Sequence, residues 1–339
     1  MPKDEGFCEL SESQLIDAFC DIFYHELESW FSADIACCEN CYNDFINKWP
    51  ATYSRNDDFQ KGCIDIKCFY RGSMLQDFFY EEECLRFIKN IECPRCKNPI
   101  WNSFWPYNFS FDLPDGFESE LEEMDKLASE TPFLLLSHPL ARDVYSEIKK
   151  ISEKVEVVHI NEKYYRGRIL EREKEYHEND FKCAPKHLVK EGRYNHAGNP
   201  VIYLADSPLT SFYEMRKPSQ GIALAEVNII SPLKVLNLIE LEDDWDSVLN
   251  IISWSSLLSS PKEGEGWYKP QYTFTRFVAD CAKQLGFDAI KYPSIRHGKH
   301  HNIVILNGMN NSSKIKIDSI TEFNNNDNKI DLEVRSLLK

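Results

Sequence analysis

Long hydrophobic runs are missing from this sequence. The longest, such as Phe133 to Leu136 and Ile251-Ile252, fall far short of the ~18–20 residues that a membrane span needs, so no membrane role is expected. Positive charge is scarce as well. Thirty-nine Lys and Arg stand against 55 Asp and Glu, a net of −16, and an acidic surface repels nucleic-acid phosphate. Nucleic acid is therefore not expected as a partner. Met1-Pro2-Lys3-Asp4-Glu5 lacks the basic start and apolar core of a secretory signal, which predicts a cytoplasmic protein. The chain has no Gly-rich phosphate loop and no GxGxxG behind a strand, which disfavours a Rossmann dinucleotide site.

What is present is unevenly distributed. At 339 residues the chain exceeds what one hydrophobic core usually organises, and two domains are expected. Residues 1–154 hold 15 basic and 30 acidic residues, a net of −15, whereas residues 155–339 hold 24 and 25, a net of −1. Ten of the twelve cysteines precede residue 100, leaving only Cys183 and Cys281 behind. In a cytoplasmic chain such enrichment points to metal before disulfides.

The N-terminal part, residues 1–154, reads as mainly helical. Ser11-Glu-Ser-Gln14 has the spacing of a capping box, and Leu15, Ala18, Phe19, Ile22, Phe23, Leu27 and Trp30 follow at helical intervals. Further helices are predicted around Leu75 to Ile88 and over Pro139 to Lys154, with an acidic helix or linker over Asp115 to Glu130. Cys38-Glu-Asn-Cys41 and Cys93-Pro-Arg-Cys96 are two CxxC pairs. Together they would complete a four-thiolate Zn²⁺ site of structural type, the second pair resembling a zinc-ribbon knuckle. Uncoordinated buried thiols are the alternative, and Cys37, Cys63 and Cys68 are rival ligands.

From Val155 the pattern becomes α+β. Strands are predicted at Val155–Ile160, Tyr164–Ile169, Val201–Ala205, Gly221–Ile229, Phe287–Tyr292, Asn302–Leu306 and Lys314–Asp318. Helices are predicted at Pro208–Arg216, Asp244–Leu258 and Tyr272–Leu285, with a loop over Ser255 to Gly266 and a mobile tail over 322–339. Polar residues stand where this pattern alone would place none: Arg166 and Arg168 in a strand, Arg193 in Gly192-Arg-Tyr-Asn195, Tyr203 in Val-Ile-Tyr-Leu-Ala, Glu214 on a helix and Ser294 after a strand.

At these residues the sequence resembles the RES family, named for its Arg, Glu and Ser and known for toxins of bacterial toxin–antitoxin pairs. The matching pieces are Tyr165-Arg-Gly-Arg168, Gly192-Arg-Tyr-Asn195, Gly198 to Ala205, Thr210-Ser-Phe-Tyr-Glu214, Gly286 to Ser294 and Asn302 to Leu306. The resemblance implies an ADP-ribosyltransferase-like fold over residues 155–321 and chemistry on NAD⁺. It places Glu214, Arg193, Tyr203 and Ser294 in the catalytic site, and Arg166, Arg168, Arg193, Tyr203 and Asn195 around the dinucleotide. It also implies an antitoxin or regulatory partner. The N-terminal part is similar, more loosely, to helical HEPN domains found ahead of RES domains, and would regulate or target the enzyme.

The residue types suit that chemistry. A carboxylate such as Glu214 stabilises an oxocarbenium-like centre or holds a ribose hydroxyl, and the planar guanidinium groups of Arg166 and Arg193 fit phosphate oxygens. Taken alone, Glu214 with Arg216 reads rather as an exposed ion pair than as a site residue, and His297, His300 and His301 read as a solvated loop. Three functions are consistent with the sequence: cleavage of NAD⁺ by phosphorolysis or hydrolysis, mono-ADP-ribosylation of a macromolecule, and a zinc-bearing interaction module with a structural RES-like domain.

Overall fold

The capping box at Ser11 does start a helix. In the computed structural model, which describes residues 10–55, 62–109, 111–239, 241, 247–259, 272–297 and 299–323, the Ser11 side chain accepts from Gln14 N while the Gln14 side chain accepts from Ser11 N. The chain divides into two compact units, Met1–Asp112 and Leu113–Lys339.

In the first unit, α1 (Glu12–Phe31) is followed by β1 (Ile35–Cys38), α2 (Tyr42–Lys48), α3 (Pro50–Arg55), β2 (Ile64–Asp65), α4 (Ile66–Gly72), α5 (Leu75–Phe78), α6 (Glu81–Phe87) and β3 (Ser103–Pro106). The helix expected around Leu75 to Ile88 breaks into two. Phe79 is extended and buried, and Tyr80 N bonds to Glu83 Oε2 at 3.1 Å, so α6 starts afresh. The small antiparallel sheet β1-β3-β2 adds strands that the mainly helical reading does not name. Its strands are two to four residues long, too short for a period-two pattern to stand out. Aromatic rings fill the core: Phe23 lies 5.2 Å from Phe69 and 5.6 Å from Phe104, and Phe19 lies 5.6 Å from Phe79.

The second unit opens with α7 (Phe117–Glu130) and α8 (Pro139–Lys154). The expected boundary lay after residue 154, but α8 is tied into this unit: Glu147 Oε2 accepts from Leu249 N at 3.0 Å, and Lys234 Nζ donates to Ser152 O at 2.6 Å. Then come β4 (Val157–Val158), β5 (Tyr164–Ile169), α9 (Glu178–Phe181), β6 (Ile202–Ala205), α10 (Pro208–Glu214), β7 (Ile222–Ile229) and β8 (Leu233–Asn237). They are followed by α11 (Val248–Trp254), α12 (Ser256–Ser259), α13 (Thr273–Gln284), β9 (Ala289–Pro293), β10 (His301–Ile305), α14 (Gly308–Asn311) and β11 (Ile315–Phe323). Ser255 to Ser259, expected in a loop, are mostly α12, and 260–266 lie outside the described residues. Glu322 and Phe323, expected in the tail, close β11 against β7; residues 324–339 lie outside the described residues.

Eight strands form one mixed sheet in the order β11-β7-β5-β6-β10-β9-β8-β4. All neighbours are antiparallel except β8 and β9. One apolar layer joins Tyr164, Ile202, Leu204, Ala225, Ile303 and Ile315. Beside that layer the sheet has a gap: β5 pairs with β7 through six residue pairs but with β6 only at Tyr165 and Ala205.

Phe69 touches the rings of Phe23, Trp30 and Phe104. Replacing it with Ala should cost about 3–5 kcal/mol, read as a lower urea midpoint by far-UV circular dichroism.

Candidate functional site

The fork between β5 and β6 holds a cavity of about 310 Å³. Tyr165 to Arg168 line one side and Tyr203 to Ala205 the other, with Arg193, Glu214 and Asn302 around them. Five of the residues expected from the sequence, Arg166, Arg168, Arg193, Tyr203 and Glu214, therefore reach a single cavity. Ser294 and Asn195 stand behind it, each bonded to a lining side chain.

Glu214 is the last residue of α10, where the helix dipole disfavours a carboxylate. Two donors offset this. Ser294 Oγ donates to Glu214 Oε1 at 2.7 Å and Asn302 Nδ2 donates to the same oxygen at 2.9 Å. Ser294 Oγ itself accepts from Arg296 N and His297 N, so its single proton is committed to the carboxylate. One carboxylate oxygen is thereby fixed, while Oε2 has no hydrogen bond among the described residues. The surface ion-pair reading of Glu214 gives way to this arrangement, since Glu214 is half-buried and hydrogen-bonded inward.

Arg166 is buried, and its Nε and Nη1 find no hydrogen-bond partner among the described residues. Burial, with the neighbouring charge of Arg168, pushes its pKa down to about 9, which leaves it cationic at neutral pH. A buried cation without a partner costs several kcal/mol, and an anion entering the cavity would recover much of that. Arg168 is used differently: its Nε donates to Asp180 O at 2.9 Å and its guanidinium lies over Phe181 at 6.0 Å. That contact anchors α9, which lies in the charged segment between Arg168 and Arg193.

The Arg193 loop is built tightly. Gly192 N bonds to Asn195 O at 3.0 Å, Asn195 Nδ2 donates to Lys190 O and His196 O, and Tyr203 Oη donates to Asn195 Oδ1 at 3.0 Å while accepting from Tyr194 N at 2.9 Å. A Cβ at Gly192 would meet Asn195 Oδ1 at 2.4 Å and Tyr203 Oη at 2.7 Å, so only glycine fits there. Burial raises the Tyr203 pKa, and its hydroxyl is spent on the loop, leaving the ring to face the cavity. The Arg193 guanidinium lies 5.5 Å from the Tyr272 ring and 6.0 Å from that of Tyr292.

Two features escaped the sequence reading. Asn302 opens a recognised segment but carries no local sign of touching Glu214; only the pairing of β10 with β6 and β9 brings it there. The histidines are not a solvated loop. His300 Nδ1 pairs with Asp206 Oδ2 at 2.9 Å, His301 N bonds to the same oxygen, and His297 Nδ1 meets Thr210 Oγ1 at 2.9 Å. For His300 and His301, Asp206, 94 and 95 positions away in sequence, provides the partner that spacing could not reveal, and ties down the loop carrying Ser294.

In the first unit, the Sγ atoms of Cys38, Cys41, Cys93 and Cys96 all lie within 4.8 Å of one another. Cys38 ends β1, Cys41 precedes α2, and the second pair lies in a turn closed by Cys93 N to Asn98 O at 2.8 Å. Sulfur also accepts hydrogen bonds, from Cys38 N to Cys41 and from Asn98 Nδ2 to Cys96, both at 3.5 Å. Burial opposes ionisation of Cys96, but the Asn98 amide and the neighbouring thiols bring its pKa down to about 7. Burial raises Cys38 and Cys41. Four convergent sulfur donors within 4.8 Å of one another fit a tetrahedral thiophilic metal. Cys37, Cys63 and Cys68 are not members of the group.

Residues 167–323 match the family model of the RES domain. No curated protein matches the chain. Among solved structures, the crystal structure of the M. tuberculosis MbcT-MbcA toxin-antitoxin complex is similar at a TM-score of 0.36 and 14% identity, over 56% of this chain and 97% of that one. Among the described residues no helix is long and apolar enough to cross a membrane.

Arg166→Met replaces the unpaired cation with an apolar group of similar length. It should raise the stability of the ligand-free protein by about 1–4 kcal/mol. Inorganic pyrophosphate should raise the melting temperature of the wild-type protein and leave that of the variant unmoved, as read by differential scanning fluorimetry.

Proposed function

We propose, from the RES domain that residues 167–323 form, that this chain is a toxin-type enzyme that consumes NAD⁺ by cleaving the bond between nicotinamide and ribose. The observation that carries this reading is an unpartnered, buried Arg166 sharing one cavity with a Glu214 whose carboxylate is clamped on one side. NAD⁺ offers what these groups lack: an anionic pyrophosphate for a guanidinium and a ribose centre that becomes cationic for a carboxylate.

In this reading the C1′–N bond breaks and its electron pair goes to the nicotinamide nitrogen, which leaves as a neutral ring. An oxygen of phosphate or water then bonds to C1′ and loses its proton to solvent, giving ADP-ribose 1-phosphate or ADP-ribose. Glu214 Oε2 faces the developing positive charge or a ribose hydroxyl, while Ser294 and Asn302 keep the carboxylate from rotating. Arg166 and Arg193 hold phosphate oxygens. In this reading the unit is akin to ADP-ribosyltransferases, and a macromolecular acceptor would use the same residues. Family kinship also supports a protein partner of the antitoxin kind, with the N-terminal part regulating or targeting the enzyme.

The thiol group in the first unit we assign to structural Zn²⁺, held by Cys38, Cys41, Cys93 and Cys96. When bound, the ion supplies a cross-link between β1 and the 93–98 turn, and no catalytic step passes through it.

Purified protein incubated with NAD⁺, with and without phosphate, should release nicotinamide, and the mass of the other product identifies the acceptor. Glu214→Gln should lower turnover at least ~10²-fold with the fold intact. Asn302→Ala should lower kcat with little change in KM, because it acts through Glu214. Unchanged NAD⁺ loss in Glu214→Gln would reject the assignment.

Atomic emission should find about one zinc per chain, and Cys93→Ser with Cys96→Ser should abolish it and lower the melting temperature. Protein prepared without chelator that holds no zinc would overturn the metal assignment.

A further inference from the structure

Between α7 and α8 the chain makes a 3-10 helix over Pro132–Ser137. Of its side chains only Leu135 turns inward, at 3% exposure. Phe133 is 99% exposed, Leu134 58% and Leu136 50%. Three large apolar side chains within four positions form a contiguous patch rather than the scattered single residues that need no explanation.

The segment is also held in place. Arg142 Nη1 donates to Leu136 O at 3.1 Å and to Ser137 O at 2.7 Å, Leu134 N bonds to Thr131 O, and His138 N bonds to Leu135 O. His138 Nδ1 accepts from Leu140 N at 3.2 Å to start α8, and its Nε2 meets Glu123 Oε2 of α7 at 3.4 Å. A preorganised apolar patch loses little freedom when something binds it.

Charge around the patch selects the occupant. Residues 113–138 contain seven acidic residues and one lysine. On α7, Glu120, Glu122, Glu123, Asp125 and Glu130 are exposed, and Glu123, through His138, and Glu130, two positions before Pro132, border the patch. A second copy of this chain would bring the same acidic rim against this one, and an anionic bilayer would be repelled likewise. A segment with apolar and basic faces matches both the patch and its rim.

We infer that the Phe133–Leu134–Leu136 patch with the acidic face of α7 is a docking surface for a basic amphipathic helix of a partner protein. The surface lies outside the RES domain and does not depend on the NAD⁺ reading.

The test uses the full chain and a fluorescein-labelled helical peptide of about 18 residues built from Leu and Lys in amphipathic spacing, followed by anisotropy at physiological salt. Saturable binding is expected, weakened at least ~10-fold by Phe133→Ser with Leu134→Ser and Leu136→Ser, which leave every charge in place. Phe133→Ser alone, at a fully exposed position, should weaken it measurably without touching the fold. A counterpart peptide with Glu for Lys should not bind, and NAD⁺ consumption should be the same in wild type and triple variant. Equal peptide binding by the triple variant would reduce the effect to charge alone and overturn the inference. So would a wild-type dimer in sedimentation that the triple variant loses, or wild-type binding to phosphatidylserine vesicles that the triple variant lacks.

Discussion

A guanidinium taken out of water with two of its nitrogens unpaired is the constraint around which the C-terminal unit is arranged. Arg166 cannot withdraw, because β5 is locked to β7 by six consecutive residue pairs. No carboxylate among the described residues bonds its Nε or Nη1, and Glu214, which lines the same cavity, gives one of its oxygens to Ser294 and Asn302. The charge is therefore kept by the fold and left unsatisfied. A stabilising choice at this position would be apolar.

The same logic of held but unsatisfied groups appears in the first unit in a different chemistry. Four thiols converge through two short turns, and no disulfide links them. Apart from the 20-residue α1, two-residue and four-residue strands and helices of four to seven residues supply little regular structure of their own, so a cross-link there would contribute more than it would in a larger core. The aromatic cluster of Phe19, Phe23, Phe69 and Phe104 supplies the remaining cohesion.

Much of the second unit was readable from sequence because its strands are buried and its helices amphipathic. β5 and α8 fall on the predicted residues, and β6, β7, β9, β10 and α13 differ by one or two at their ends. β8 was not read, because its five residues follow β7 closely and its parallel partner β9 lies some fifty positions on, so no hairpin signal exists. The strand over Val155–Ile160 shrinks to Val157–Val158, whose side chains are exposed at the sheet edge. Site residues carried by motifs were legible; those that act through long-range pairing were not. Asn302 and Asp206 belong to the second kind, each meeting its partner across 88 or more positions.

The single pair joining β5 to β6 has a mechanical meaning. A sheet normally carries load from strand to strand through its ladder, and here that path narrows to Tyr165 and Ala205. On one side α10 spans the gap, resting on Gly167, where a Cβ would strike Met215 Sδ at 2.2 Å. A molecule gripped by Arg166 on β5 and Glu214 at the end of α10 would act as a second strut. The unit would then be stiffer with its site filled than empty, and hydrogen exchange along β5 and β6 would gauge occupancy.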